Sequence, residues 1–122
     1  MTISASQFIW HNGEMKRWED ATTHVLAHSL HYGSSVFEGA RAYETHRGAC
    51  GFRLSDHTRR LFESAKIYRI AIPYTPDDIN EACRRVVVEN DLSAAYIRPI
   101  VYYGYGTISV LPSADTPVRV TW

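Results

Sequence analysis

Lysine and cysteine are scarce in this sequence, which has only two of each. Cys50 and Cys83 lie far apart and match no metal-binding spacing, which is typical of reduced thiols in the cytoplasm. The six histidines also lack zinc-ligand spacing, so we expect them to pack and hydrogen-bond locally. No apolar run approaches the about 20 residues of a membrane span, and the first residues, MTISASQFIW, lack the features of an export signal. We therefore predict a cytoplasmic protein with no metal site and no membrane partner.

The sequence has no excess of charge of either sign. Lys+Arg and Asp+Glu count 13 each, so the formal net charge is zero. A nucleic-acid-binding domain usually carries a basic surface, so this balance argues against nucleic acid as a partner. Eleven of the thirteen basic residues are arginine, whose planar guanidinium suits carboxylates and phosphates. The arginine excess is compatible with binding of small acidic groups.

The order of predicted elements describes one α+β domain over residues 1–122. Asn12-Gly13 predicts a hairpin, and two helices follow from apolar periodicity and their capping residues. The predicted strands are 8–10, 15–18, 36–45, 94–104 and 118–122, the helices are 55–70 with Ser55 as N-cap and 76–90 with Thr75 as N-cap, residues 48–51 are a turn, and residues 105–117 are a loop.

Tyr96 and Arg98 are two residues apart in a predicted strand, so their side chains point to the same face. A guanidinium and a phenol on one face can bind a carboxylate, because the fork supplies paired donors and the hydroxyl a third. The alternative is a surface arginine that packs its aliphatic stem against the tyrosine. The spacing alone leaves both interpretations open.

Arg59 and Arg60 lie near the start of the first predicted helix. One of them could hold a phosphate with help from the helix dipole. The alternative is that both belong to a solvated helix face, where ion pairs contribute little.

The segment LHYGSSVFEGARAY crowds aromatic residues and glycines into one stretch. Gly39 permits a tight turn or a close approach of the backbone. Tyr32 and Phe37 are large rigid side chains suited to an apolar pocket, although both could instead belong to the core. Glu38 is expected on the opposite face of the strand from Phe37, with Arg41 as its ion-pair partner.

Three segments resemble the N-terminal part of branched-chain amino acid aminotransferases, which are class IV pyridoxal-phosphate transaminases of fold type IV. The segments are WHNGEMKRWEDATTHVLAHSLHYGSSVFEGARAYET, FRLSDHTRRLFESAKIY and AAYIRPIVYYG, and within them HYGSSVFEG, the Arg60-Leu61 step and YIRP are together highly specific. The resemblance covers residues 9–112. It implies the small N-terminal domain of fold type IV enzymes, with mainly antiparallel sheet and two helices.

The resemblance implies roles for individual residues. Arg60 is expected to hold the phosphate of pyridoxal 5'-phosphate. Arg98 and Tyr96 are expected to bind the substrate carboxylate, with Tyr32 assisting from the neighbouring subunit of a homodimer or a larger homo-oligomer.

The resemblance also implies an apolar wall for a branched side chain. Phe37 is expected to line this wall together with Val110 from the partner's loop, and Gly39 to let the backbone come close to the substrate. Two residues depart from the family pattern: Ser109 stands where many relatives carry glycine, and Tyr105 is bulky. Both departures concern the conformation of the loop and the selection of substrate.

The resemblance implies a transaminase that moves the amino group of leucine, isoleucine or valine to 2-oxoglutarate. The Schiff-base lysine of the family lies in a second, larger domain, and neither Lys16 nor Lys66 matches its motif. We therefore assign no catalytic residue and expect these 122 residues alone to be inactive. Because VRVTW ends without a turn or a polar tail, we interpret it as a strand interrupted at Trp122.

Two alternative functions remain. One is another fold type IV enzyme, such as a D-amino acid aminotransferase or aminodeoxychorismate lyase, although the spacing of Tyr96-Ile97-Arg98 resembles the branched-chain group. The other is a non-catalytic, stand-alone domain that binds small carboxylates or a protein partner.

Overall fold

A computed structural model describes residues 3–122 and confirms the predicted α+β class. One antiparallel sheet has the strand order β2-β1-β8-β7-β3, and a second has the order β5-β4-β6. The strands are β1 Phe8–His11, β2 Glu14–Arg17, β3 Ser35–Phe37, β4 Ala40–Thr45, β5 Gly48–Gly51, β6 Ala95–Ile97, β7 Ile100–Tyr103 and β8 Val118–Thr121; the helices are α1 His28–Tyr32, α2 Leu54–Ile67 and α3 Pro76–Glu89.

Two long predicted strands are each divided between the two sheets. Residues 36–45 were expected to form one strand, but the chain leaves the first sheet after β3 and enters the second at β4. Residues 94–104 divide in the same way between β6 and β7, around Pro99. β3 pairs with β7 and β4 pairs with β6, so the two segments cross between the sheets side by side. Proline has no N–H to give to a ladder, which explains why pairing is interrupted there.

Helix α3 agrees with its prediction at both ends. The Thr75 side chain accepts a hydrogen bond from the Asp78 backbone N–H, and the Asp78 carboxylate accepts one from the Thr75 N–H. This reciprocal capping satisfies two of the orphan donors of the first turn. At the other end, Asn90 caps the helix and binds both backbone groups of Phe8, which fastens β1 to α3.

Helix α2 differs from its prediction at both ends. Its N-cap is Arg53 rather than Ser55, because the Arg53 carbonyl already accepts the first backbone bonds of the helix. The helix was predicted to reach residue 70 but ends at Ile67, because a turn through Arg69 (φ +57°) follows it, which leaves Tyr68 exposed and places Ile70 in the core.

Two further differences concern short elements. Gly48–Gly51 was predicted as a turn but is strand β5, paired with β4, and the turn itself lies at residues 46–47. Gly-Ala-Cys-Gly has little intrinsic strand preference, so the pairing is imposed by its neighbour. Helix α1 was not predicted, since five residues carry too little periodicity to be recognised.

The core lies between the two sheets, α2 and α3. The apolar face of α3 supplies Ile79, Ala82, Cys83 and Val87, all buried, and α2 supplies Leu61 and Ala65. Within residues 3–122, no helix combines the length and the apolar character needed to cross a membrane.

The burial of Cys83 predicts a difference between the two thiols. Burial raises the pKa of Cys83 to about 12, whereas Cys50 is exposed. Because the thiolate is the reactive form, we expect iodoacetamide at pH 8 to label Cys50 in the folded protein and Cys83 only after denaturation. Peptide mapping by mass spectrometry measures both. Equal labelling of the two thiols in the folded protein would contradict this packing of α3.

Candidate functional site

The crossing between the two sheets brings together four of the predicted substrate-binding residues. β3 ends at Phe37 opposite Ile100, and β4 begins at Ala40 opposite Ile97. The Glu38 N–H donates to the Pro99 carbonyl at 3.0 Å and holds the unpaired stretch together. Because side chains alternate along a strand, one face of the crossing collects Phe37, Gly39, Tyr96 and Arg98.

The side chains of Arg98, Tyr96 and Phe37 are in mutual contact. Arg98 Nη2 donates to the Tyr96 hydroxyl at 2.9 Å, and its guanidinium carbon lies 4.5 Å from the centre of the Phe37 ring. Stacking on an aromatic face holds a guanidinium in place while leaving its N–H groups free. Phe37 is 54% exposed and Tyr96 is 51% exposed, so Phe37 belongs to this surface and not to the core.

Gly39 provides the space that the Tyr96 hydroxyl occupies. A Cβ atom at position 39 would collide with the Tyr96 Oη and would lie only 3.0 Å from its Cζ. A close approach was predicted for Gly39, and the group that approaches it within this chain is the phenol of Tyr96. Any larger residue here would displace that phenol, and with it the partner of Arg98.

Glu38 points to the opposite face of the strand and binds Arg60. Its carboxylate accepts from Arg60 Nε at 2.5 Å, from Arg60 Nη2 at 2.7 Å and from His57 Nδ1 at 3.0 Å. Glu38 is only 4% exposed. The predicted pair with Arg41 is wrong, because Arg41 lies on the other face, with its guanidinium carbon 5.9 Å from the Tyr96 ring centre.

The interactions in this cluster stabilise the charged forms of Glu38 and Arg60. The hydrogen bonds from Arg60 lower the pKa of Glu38 below its ordinary 4.5, against the opposing effect of burial, and His57 adds to the lowering. Glu38 in turn raises the pKa of Arg60. A bidentate pair of this kind fixes the plane of the guanidinium as well as its charge.

Arg60 retains hydrogen-bonding capacity toward solvent. Glu38 uses one N–H of Nε and one of Nη2, and a guanidinium has five N–H donors. The remaining three belong to a side chain that is 64% exposed. These donors are available for a phosphate group, and the phosphate-binding role of Arg60 stays a prediction. Arg59 differs, because it forms solvent-exposed ion pairs with Asp56 and Glu63.

Tyr32 and Val110, the two remaining predicted site residues, lie in a separate group. Tyr32 ends helix α1, and its ring contacts the ring of His28 with 4.6 Å between centroids. Val110 lies in the loop of residues 105–117, where it is 75% exposed. Within residues 3–122, no hydrogen bond or aromatic contact joins Tyr32 or Val110 to Arg98, Tyr96 or Phe37.

Three residues of the site were missed as functional candidates. Glu38 was assigned to the wrong partner, and His57 was not considered, although it lies three residues before Arg60 on the same helix face. His28 was expected to pack and hydrogen-bond locally; it is buried and its Nδ1 binds the nearby Ser34 hydroxyl, but its Nε2 binds the distant Ser109 carbonyl, which was not expected. Their partners are distant in sequence, so residue spacing could not have identified them.

The buried carboxylate predicts a pH-dependent contribution to stability. A Glu38→Gln variant should be less stable than the parent at pH 7, because it loses charge-assisted hydrogen bonds. The extra stability of the parent is fully present at pH values above 4.5, the ordinary pKa of Glu38, which applies to the unfolded chain. It is lost as the pH falls through the lower pKa of Glu38 in the folded state.

Urea unfolding of both proteins from pH 7 to pH 3 measures this difference. We expect the two free energies of unfolding to converge at the acid end. A difference that stays constant across the range would contradict the ion pair.

Comparison with known proteins identifies the family of the chain. The family model described as amino-transferase class IV matches residues 35–121. A branched-chain-amino-acid aminotransferase of Escherichia coli (strain K12) is 50% identical over 114 residues, covering 93% of this chain and 37% of the relative. One from Pseudomonas aeruginosa is 60% identical over 96 residues, covering 79% of this chain and 31% of the relative.

A solved structure agrees with the fold. The T.th. branched-chain amino acid aminotransferase with pyridoxamine 5'-phosphate is 44% identical, superposes with a TM-score of 0.91, and is matched over 95% of this chain and 39% of its own. The chain thus spans less than two-fifths of the relatives that it matches. The resemblance stated from the sequence is confirmed, and the chain belongs to the class IV aminotransferase family.

Proposed function

We propose that this chain is the small domain of a branched-chain aminotransferase, which moves the amino group of leucine, isoleucine or valine to 2-oxoglutarate with pyridoxal 5'-phosphate. The observation that carries the proposal is the cluster at the crossing between the sheets. In it Arg98 donates to the Tyr96 hydroxyl and stacks on the Phe37 ring, an arrangement that would suit a carboxylate beside an apolar side chain. Glu38 connects this cluster to Arg60, since its N–H binds the Pro99 carbonyl and its carboxylate binds the guanidinium.

Each residue has a part in this proposal. Arg60 would hold the phosphate of the cofactor with the N–H groups that Glu38 leaves free. The cofactor supplies the electron sink for the bond changes at the substrate's α-carbon. Arg98 and Tyr96 bind a carboxylate, and Phe37 excludes water from an apolar side chain. The lysine that binds the cofactor covalently is expected in the larger second domain of the full-length protein, and neither Lys16 nor Lys66 takes that role.

The relatives support both halves of the substrate assignment. The T.th. enzyme has been crystallised with N-(5'-phosphopyridoxyl)-L-glutamate and with 4-methylvaleric acid. One ligand has an acidic side chain and the other a branched apolar one. An aromatic wall next to a stacked, exposed guanidinium can accept either, because the apolar face and the N–H donors lie side by side.

The proposed active assembly is a homodimer. Tyr32 and Val110 lie apart from the crossing in this chain, and we infer that they contribute to the pocket of a neighbouring subunit. The partners in this account are thus amino acids, 2-oxo acids and a second copy of the chain. Cys50 and Cys83 are not bonded to each other, which is compatible with the cytoplasmic location expected from the sequence.

The direct test uses the complete gene product. After incubation with pyridoxal 5'-phosphate and reduction with borohydride, we expect one pyridoxyl group on a lysine other than Lys16 and Lys66, together with amino transfer from L-leucine to 2-oxoglutarate. Transfer from D-alanine instead would indicate another fold type IV enzyme. A protein that takes up no cofactor would be a stand-alone binding domain, and the proposal would be wrong.

The proposed role of Arg60 predicts a loss that is specific to the phosphate. An Arg60→Lys variant keeps the charge opposite Glu38 but cannot bind both the carboxylate and a phosphate with a planar fork. We expect its affinity for pyridoxal 5'-phosphate to fall about tenfold, the size of one charged hydrogen bond, with little change for pyridoxal, which lacks the phosphate.

Fluorescence titration with the two compounds measures this ratio. Arg59→Lys is the matched control, because Arg59 is the adjacent arginine and forms only surface ion pairs. Equal losses for both compounds, or an equal effect of the control, would remove Arg60 from the phosphate site.

A further inference from the structure

The loop of residues 105–117 has an exposed apolar tip with a single anchor. At the tip, Ile108, Val110 and Leu111 are 53%, 75% and 78% exposed. Within residues 3–122, one hydrogen bond joins residues 108–112 to the rest of the protein, and it runs from His28 Nε2 to the Ser109 carbonyl at 2.6 Å. The base of the loop is held differently, because the buried Thr116 binds the Ser113 N–H and the Thr107 hydroxyl.

The anchoring side chain is itself rigidly held. His28 is 1% exposed, and its Nδ1 lies 2.7 Å from the Ser34 hydroxyl. A carbonyl oxygen can only accept, so Nε2 must carry a proton, and in the neutral ring Nδ1 accepts from Ser34. Both ring nitrogens are therefore satisfied, and the direction of the imidazole is fixed by two partners on different segments.

The same imidazole also contacts Tyr32. The two rings are 4.6 Å apart at an angle of 42°, and both residues belong to helix α1. Tyr32 and Val110 are almost eighty residues apart in sequence. His28 contacts the Tyr32 ring and binds the carbonyl of Ser109, the residue before Val110. One side chain therefore sets the spacing between a phenol and an apolar loop tip.

We propose that His28 is a positioning residue that fixes the Val110 loop tip relative to Tyr32, and so determines how tightly a branched side chain is held. The proposal rests on the proposed function for its effect on substrate. His28 acts through Val110 and does not itself touch substrate. Since the Ser109 main-chain carbonyl is bound, serine in place of the family's glycine leaves the anchor intact.

Three variants of the full-length protein separate this role from simple core packing. His28→Leu fills the space but removes the donor, whereas His28→Gln keeps an N–H near the position of Nε2. His31→Leu is the matched control, because His31 lies on the same short helix and also binds a main-chain carbonyl, that of Val25. Within residues 3–122, no hydrogen bond or aromatic contact joins His31 to the loop.

The first measurement is the rate of thermolysin cleavage at the tip, which needs no substrate or cofactor. Loss of one hydrogen bond of about 1 kcal/mol corresponds to about a fivefold change in a local opening equilibrium. We expect cleavage between residues 108 and 112 to be about fivefold faster in His28→Leu, and to stay near the parent rate in His28→Gln and His31→Leu.

The second measurement is steady-state amino transfer from leucine. We expect His28→Leu to raise KM for leucine several-fold with kcat nearly unchanged, because it loosens a wall that contacts the bound side chain equally before and during reaction. Affinity for pyridoxal 5'-phosphate should not change, since Arg60 lies in the other group of site residues. His28→Gln should restore KM.

Two results would overturn the proposal. If His28→Leu does not fold, Ser34→Ala replaces it, because this variant removes the partner of Nδ1 while keeping the buried ring. One contradicting result is a cleavage rate that is unchanged in both His28→Leu and Ser34→Ala. The other is a KM change of equal size in His31→Leu. A parent protein that neither binds the cofactor nor transfers amino groups would instead refute the proposed function, while the cleavage rates would still test the anchor.

Discussion

The pairing of two strands that cross together from one sheet to the other is the constraint on which the site depends. Between the last pair of the first sheet and the first pair of the second, each strand has two residues outside the ladder, Glu38-Gly39 and Arg98-Pro99. A proline in one strand removes a donor, and a glycine in the other makes room for a phenol. The strand register on both sides determines the face to which each of these side chains points.

The two faces of the crossing separate two kinds of chemistry. On one face, the Arg98 guanidinium stacks on the Phe37 ring and keeps N–H donors for an acidic group. On the face toward α2, the buried Glu38 carboxylate orients Arg60. A buried charge must be compensated, and Glu38 is compensated by Arg60 and His57 on one turn of helix. The position of α2 against the sheet and the direction of Arg60 are therefore determined by the same interaction.

The sequence predicted the parts of this structure that depend on local chemistry. The hairpin at Asn12-Gly13, the capping of α3 by Thr75 and the loop around Val110 follow from short-range preferences, and the structure agrees with each. The shared face of Tyr96 and Arg98 follows from strand periodicity. The resemblance to a family identified the site residues as a set, and their roles toward cofactor and substrate remain predictions.

Other parts depend on partners that are distant in the chain. The strand at Gly48–Gly51 exists because β4 pairs with it, the break at Pro99 divides a strand that reads as continuous, and Glu38 meets Arg60 across 22 positions. His28 reaches Ser109 across 81 positions. Neither periodicity nor propensity carries information over such separations, so these contacts could be found only in the folded chain.

In the proposed homodimer, the two groups of site residues, one around Arg98 and one around Tyr32, serve pockets shared between two copies of the chain. Mixing two inactive variants of the full-length protein, Arg98→Ala and Tyr32→Ala, tests it directly. In a mixed dimer with twofold symmetry, one pocket would carry both substitutions and the other none, so roughly a quarter of the parent activity should return on mixing. If each subunit instead builds its pocket from its own residues, every pocket carries one substitution, and mixing would restore no activity.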